Sequence, residues 1–192
     1  MIHPHDRPAA SPSDAPNDVY YRACEGRWRC DFELVITDLA AYRACPIAWL
    51  DRRRIGSVID WTRWTGPFQF ITTVAFRAPH EVLHTTRLRK FGISFLHSVE
   101  TITLEANGRD FTLRGSQRYW PTGAWHARSF SGAGQVDETA TRATYDFAWC
   151  GTRMQQSTLR HEHGVDIVQR SPWSHGTQRL RRVGALPDAA GR

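Results

Sequence analysis

Lysine is almost absent from this chain. Lys90 is the only one in 192 residues, although lysine and arginine together number 25 against 19 acidic residues. The formal charge of +6 is therefore nearly all guanidinium. An arginine excess invites a nucleic-acid reading. The arginines are scattered, however, with short runs only at Arg52-Arg53-Arg54 and at Arg179 to Arg182. Arg-for-Lys bias also follows from GC-rich coding, which the Ala, Gly and Pro usage fits. Nucleic acid is thus not the expected partner.

Other absences narrow the classes further. The four cysteines, Cys24, Cys30, Cys45 and Cys150, form no C-x-x-C pair and match no zinc spacing. A disulfide at Cys24 or Cys30 stays open. No run approaches the ~20 apolar residues of a membrane span. The opening "MIHPHDRPAASPSDAPND" lacks an apolar h-region, so no signal peptide is expected, and a cytoplasmic location with reduced thiols is. No phosphate loop, dinucleotide fingerprint or Ser-His-Asp order occurs. No metal or cofactor is expected.

What the chain has in quantity is aromatic side chains and a period of two. Eight Trp and nine Phe in one domain-sized chain imply an aromatic core or an interior walled by rings. Residues 1–18 read as a disordered leader and 185–192 as a disordered tail. Between them lies a single domain over 19–184.

Alternation predicts strands at Trp28–Thr37, Phe68–Arg77, Glu81–Lys90, Thr141–Trp149, Thr152–Arg160, Gly164–Arg170 and Gly176–Val183, with shorter pieces at Trp125–Phe130 and Gly134–Asp137. Residues 39–61 break the pattern and predict one or two short helices. Asp38 is placed to cap the first at Leu39, and Pro46 interrupts or restarts it. This insertion is expected to lie over a cavity mouth as a lid, or to brace the outside. Nine or ten strands joined by short turns favour an antiparallel barrel or sandwich.

The best-defined register is that of the hairpin "SVETITLEANGRDFTLRGSQRYW", which turns at Asn107-Gly108. Strand neighbours point to opposite faces. If Ile102 and Leu104 face inward, so does Glu100. On the partner strand Gln117 and Tyr119 follow Phe111 and Leu113. A carboxylate on an apolar face is costly unless paired or used. Either Glu100 is an acid or base in a cavity, or it pairs with an arginine such as Arg87 or Arg118. A one-residue slip would instead turn the whole set outward.

His84 joins the inner set as a base, a haem or metal ligand, or a satisfied core residue. Tyr119 and Tyr145 either donate hydrogen bonds to a carbonyl or pack in the wall. The expected catalytic residues are Glu100, His84 and Tyr119, and the expected substrate-binding residues are Gln117, Tyr145, Trp149, Gln156, Phe70 and Met154. "His161-Glu162-His163-Gly164" has the look of a metal motif but falls at a hairpin turn, so a surface turn is expected. Cys150 reads as a small packed residue. "Gly132-Ala133-Gly134" and "Trp173-Ser174-His175-Gly176" read as turns or bulges, with Trp173 at a barrel rim.

"Gly26-Arg27-Trp28" opens the first strand and the arginine-bearing "GTQRLRR" closes the last. This resembles the lipocalin or calycin pattern, in which a tryptophan of the first strand lies under an arginine from near the last. The resemblance implies an all-β, antiparallel up-and-down barrel of about 8–10 strands with Trp28 under Arg179 or Arg181. The chain departs from secreted lipocalins in lacking a T-D-Y motif and in carrying a helical insertion. What the resemblance implies is a hydrophobic cavity open at one end.

The expected function is a cofactor-independent enzyme of bacterial specialised metabolism, a cyclase or isomerase holding a hydrophobic small molecule in the barrel. The alternative is a non-catalytic carrier of a lipid, pigment or haem. A third class, an adaptor for an acidic partner, would need a filled barrel. Monomer and homodimer both stay open.

Overall fold

In the computed structural model, residues 14–121, 123–149 and 151–184 are described. The element order is α1 (Pro16–Cys24), β1 (Gly26–Phe32), α2 (Leu39–Ala44), α3 (Trp49–Thr65), β2 (Phe68–Ala78), β3 (Glu81–Lys90), β4 (Ile93–Leu104), β5 (Asp110–Tyr119), β6 (Gly123–Val136), β7 (Arg142–Trp149), β8 (Thr152–Arg160), β9 (Gly164–Arg170) and β10 (His175–Gly184). Each strand pairs antiparallel with its sequence neighbour, and β1 pairs with both β2 and β10, which closes the barrel. The ten-strand closed barrel with a few helices fits a calycin-like fold. Closure removes free sheet edges. No helix among the described residues is long and apolar enough to cross a membrane.

The chain's own chemistry explains the breaks in this meander. β1 stops at Phe32, which faces Phe68, the first residue of β2. Beyond that pair no ladder partner remains. The expected extension to Thr37 therefore does not form, and Leu34 and Ile36 pack on a separate cluster with Tyr42, Ile55 and Trp173. Asp38 accepts a hydrogen bond from the Ala41 amide (2.8 Å) and caps α2. Pro46 falls in the break before α3, which runs on to Thr65.

Two further expectations, at Gly132–Gly134 and at the N-terminal leader, are corrected. Gly132-Ala133-Gly134 is not a turn: all three lie inside β6, one continuous strand. A Cβ on Gly132 would overlap the Asp146 carbonyl, and one on Gly134 would overlap the Phe111 ring. Here glycine serves close packing. The expected disordered leader does not extend to Asp18, since helix α1 begins at Pro16 and Asn17 and Asp18 are buried. The rest of the expected leader, residues 1–13, the tail 185–192 and Cys150 lie outside the described residues. Cys24, Cys30 and Cys45 are free thiols.

α1 closes one end of the barrel. The Asn17 amide donates to the Gly108 carbonyl (2.9 Å), and its side chain donates to the carbonyls of Glu105 and Asp110. This ties the helix to the β4–β5 turn. Tyr20, Tyr21 and Cys24 then point into the main core with Trp28. The Trp28 indole donates to the Cys24 carbonyl (2.8 Å), and the Arg182 guanidinium lies 4.7 Å from its ring centre. The arginine is thus Arg182, neither Arg179 nor Arg181. Register explains this. Trp28 pairs with Arg182 across β1 and β10, and cross-strand partners share a face. Arg179 points away and binds Asp166 on the outside.

The opposite end is covered by α2 and α3. Ile55 of α3 and Tyr42 of α2 pack with Trp173, which is fully buried in the β9–β10 connection. Asp51 of α3 is buried between Arg54 and Arg128, a residue of β6 (3.0 and 3.1 Å), so an ion pair joins the helix to the barrel wall.

Candidate functional site

The hairpin register centred on Asn107-Gly108 is the one observed: Leu104 faces Phe111, Ile102 faces Leu113 and Ser98 faces Gln117. It places Glu100 on the inner face. A cavity of about 190 Å³ fills the barrel, lined by Phe70, His84, Glu100, Gln117, Tyr145, Trp149, Met154 and Gln156 among others. Eight of the nine expected site residues thus meet in one space. Tyr119 is the exception. It lines a second cavity of about 270 Å³ between α3 and the barrel rim. The two cavities share Phe32, Leu34, Leu88, Leu96 and Trp149 as lining. The second is therefore an antechamber under α3, next to the first.

The polar centre of the inner cavity is a chain across three strands. His84 on β3 pairs with Glu100 on β4, so both side chains leave the sheet on one face. The His84 Nδ1–H donates to Glu100 Oε2 (3.0 Å), and Ser98 Oγ donates to Glu100 Oε1 (3.1 Å). On the other side His84 Nε2 lies 2.6 Å from the Thr72 hydroxyl of β2, which in turn lies 3.2 Å from that of Thr86 and 3.3 Å from the Thr85 carbonyl. Neither Arg87 nor Arg118 contacts the carboxylate. Glu100 is held by histidine and serine instead. Opposite Glu100 stands Gly115, whose missing side chain is replaced by the Phe130 ring. The pair is open to the cavity, with about a fifth to a quarter of each side chain exposed (Glu100 19%, His84 25%).

This chain has a useful property. The Thr72 hydroxyl both donates and accepts. When His84 is neutral, Thr72 donates to Nε2. When His84 is charged, Nε2–H donates to Thr72, which turns its own proton toward the Thr85 carbonyl or Thr86. The network satisfies both protonation states without moving a heavy atom. That is what a proton-transfer site requires.

The rest of the wall is polar at fixed points. Trp149 Nε1 and the Tyr119 hydroxyl both donate to Gln117 Oε1 (2.8 and 2.6 Å). Gln169 donates to Gln156 (2.8 Å). The Tyr21 hydroxyl donates to that of Tyr145 (3.1 Å), and Tyr20 bonds Thr158. Burial pushes the phenols of Tyr20, Tyr21 and Tyr145 well above their ordinary range, so they stay neutral donors. Tyr119 does not converge with Glu100, because its hydroxyl is committed to Gln117.

Sequence reasoning missed Thr72, Ser98 and Tyr21. Thr72 shares the parity of Phe70 and Val74, and Ser98 that of Glu100, so alternation contained the signal. His161 and His163 stand at the β8–β9 turn, where His161 bonds Asp166 (2.8 Å) and His163 is exposed beside Glu162. No group of three or more metal-ligating side chains is found among the described residues. No protein-family model matches this chain, and no curated protein matches it in sequence.

Proposed function

We propose that this protein is an enzyme that holds a hydrophobic small molecule inside a lipocalin-like barrel and isomerises or cyclises it by proton transfer. One observation carries the reading: the Thr72–His84–Glu100–Ser98 chain stands in the wall of an otherwise aromatic cavity. Paired ionisable groups in an apolar cavity are the usual makings of a small-molecule site. His84 and Glu100 share one proton, and the hydroxyls on either side hold both partners in place. The aromatic wall holds the substrate in a reactive conformer, which supplies the remaining barrier reduction. The Gly26-x-Trp28 start under Arg182 supports the lipocalin-like assignment.

The mostly apolar lining and the roofed antechamber favour a second reading, a carrier that loads through the space under α3. The two are separated with 2-acetylnaphthalene, whose methyl protons exchange with solvent on enolisation. An enzyme speeds deuterium uptake from D2O above the buffer rate. Glu100→Gln keeps binding and slows uptake by about 10²-fold, the typical worth of a positioned acid or base. Binding without accelerated exchange refutes the enzyme reading and leaves the carrier.

A further inference from the structure

Gln117 has only one orientation open to it. The indole nitrogen of Trp149 is a donor and never an acceptor. The Gln117 atom 2.8 Å away is therefore the carbonyl oxygen. The Tyr119 hydroxyl donates to the same oxygen, at 2.6 Å. Both lone pairs are used, and the carboxamide cannot flip without setting N–H against N–H. Its nitrogen must point the other way, with two hydrogens to give. No acceptor among the described residues takes either one, and the atom is not among the sealed polar atoms of the wall. It opens on the inner cavity, which Gln117 lines.

The place it occupies is specific. Gln117 faces Ser98 across β4 and β5, and Ser98 binds Glu100. Gln117 and Glu100 are thus diagonal neighbours on one face, about 7–8 Å apart with their Cβ atoms somewhat closer. That gap accommodates a carbonyl oxygen against the amide and a carbon one bond beyond the carbonyl against the His84–Glu100 pair.

We propose that the substrate is an enolisable carbonyl compound, with its oxygen held by the Gln117 N–H and its acidic C–H facing the His84–Glu100 pair. This rests on the enzyme reading above and names the substrate class of that site. In the first step the C–H bond breaks and its proton passes to the His84–Glu100 pair. The electron pair left behind forms a C=C bond, and the carbonyl π pair moves onto oxygen. The enolate charge then lies against the Gln117 N–H, a fixed donor that was in place beforehand. Where a further C=C is conjugated with the enolate, the charge extends along it, and return of the proton to the far carbon shifts the double bond and isomerises the substrate. Attack of the enolate carbon on a second carbonyl carbon of the same molecule closes a ring: the C–C bond forms, the π pair of that second carbonyl moves onto its oxygen, and that oxygen takes the proton back from the His84–Glu100 pair.

The test uses two ligands of one shape: 2-acetylnaphthalene and 2-isopropenylnaphthalene, which differ only in C=O against C=CH₂. Affinities are read by titration calorimetry. Wild-type protein is expected to bind the ketone about tenfold more tightly, the worth of one retained hydrogen bond. Gln117→Glu keeps an oxygen for Trp149 and Tyr119 and removes both N–H donors. It should bring the ketone down to or below the alkene while leaving alkene affinity unchanged. Equal wild-type affinity for the two ligands overturns the proposal and leaves the cavity reading standing. So does a Gln117→Glu protein that weakens both ligands in proportion. Failure to bind either ligand overturns the cavity reading, and the proposal with it.

Discussion

Replacing Trp28 by alanine tests the floor of the barrel. The side chain is 5% exposed, bonded through its indole to Cys24 of α1, and covered by Arg182 from the last strand. Loss of a buried large aromatic costs about 3–5 kcal/mol through transfer and cavity terms. The stranded Cys24 carbonyl adds about 1 kcal/mol, and the lost cation–ring contact about 0.5–1 kcal/mol at this exposed arginine. The expected total is roughly 4.5–7 kcal/mol, or a fall in Tm of about 9–28 °C for a domain of this size. Urea unfolding followed by far-UV circular dichroism reads this without relying on the tryptophan signal. Arg182→Met keeps the aliphatic stem and removes the charge. The double-mutant cycle with Trp28→Ala should return a coupling near 0.5–1 kcal/mol. A Trp28→Ala protein within about 1 kcal/mol of wild type would refute the claim that this stack holds the floor.

Two further predictions concern titration and the roof. Burial pushes the Cys24 thiol up to about 11 and the Cys30 thiol up to about 12, so the folded chain keeps protons that the unfolded chain releases from about pH 9 upward. The stability that these two thiols contribute is therefore fully present below about pH 9 and is lost as pH rises through 11 to 12. Urea midpoints at pH 8 and pH 10.5 should show the fall, and equal midpoints would contradict the buried placement of both thiols. Asp51→Asn removes the charge that ties α3 to Arg128. It should cost roughly 1–3 kcal/mol and raise amide exchange across 49–65 while leaving the barrel strands protected. Unchanged α3 protection would mean that apolar packing alone holds the roof.

The inner face was legible because alternation, once anchored at Asn107-Gly108, propagates along paired strands. That rule placed His84, Glu100, Gln117, Tyr145 and Gln156 correctly. It missed Thr72 and Ser98 because hydroxyls were not weighed as inner residues. The arginine over Trp28 is Arg182 where Arg179 or Arg181 was expected, since the β1–β10 register depends on a bulge between Arg27 and Trp28 that no local pattern announces. α1 was hidden by its Pro, Ala and Asp neighbours, though Tyr20 and Cys24 stand one helical turn apart. The antechamber arises from α3 docking on the rim, and no single segment encodes that contact.

The seam between β1 and β10 fixes an order of events during synthesis. Chains are built from the N-terminus, and a domain folds as a unit once its parts have emerged. β1 to β5 and α1 hold all the contacts that tie the helix to the Gly108 turn. The Trp28–Arg182 stack and the Leu180 contribution to the core wait for the last strand. Without β10 the strands β1 and β9 have no partner on that side, and nothing closes off the inner face that includes Phe70, Ile102 and Leu113. A chain stopped short of β10 would keep that template permanently, which makes it a substrate for chaperones and for edge-to-edge association. The final ten-residue strand thus decides whether the product is a vessel or an adhesive ribbon.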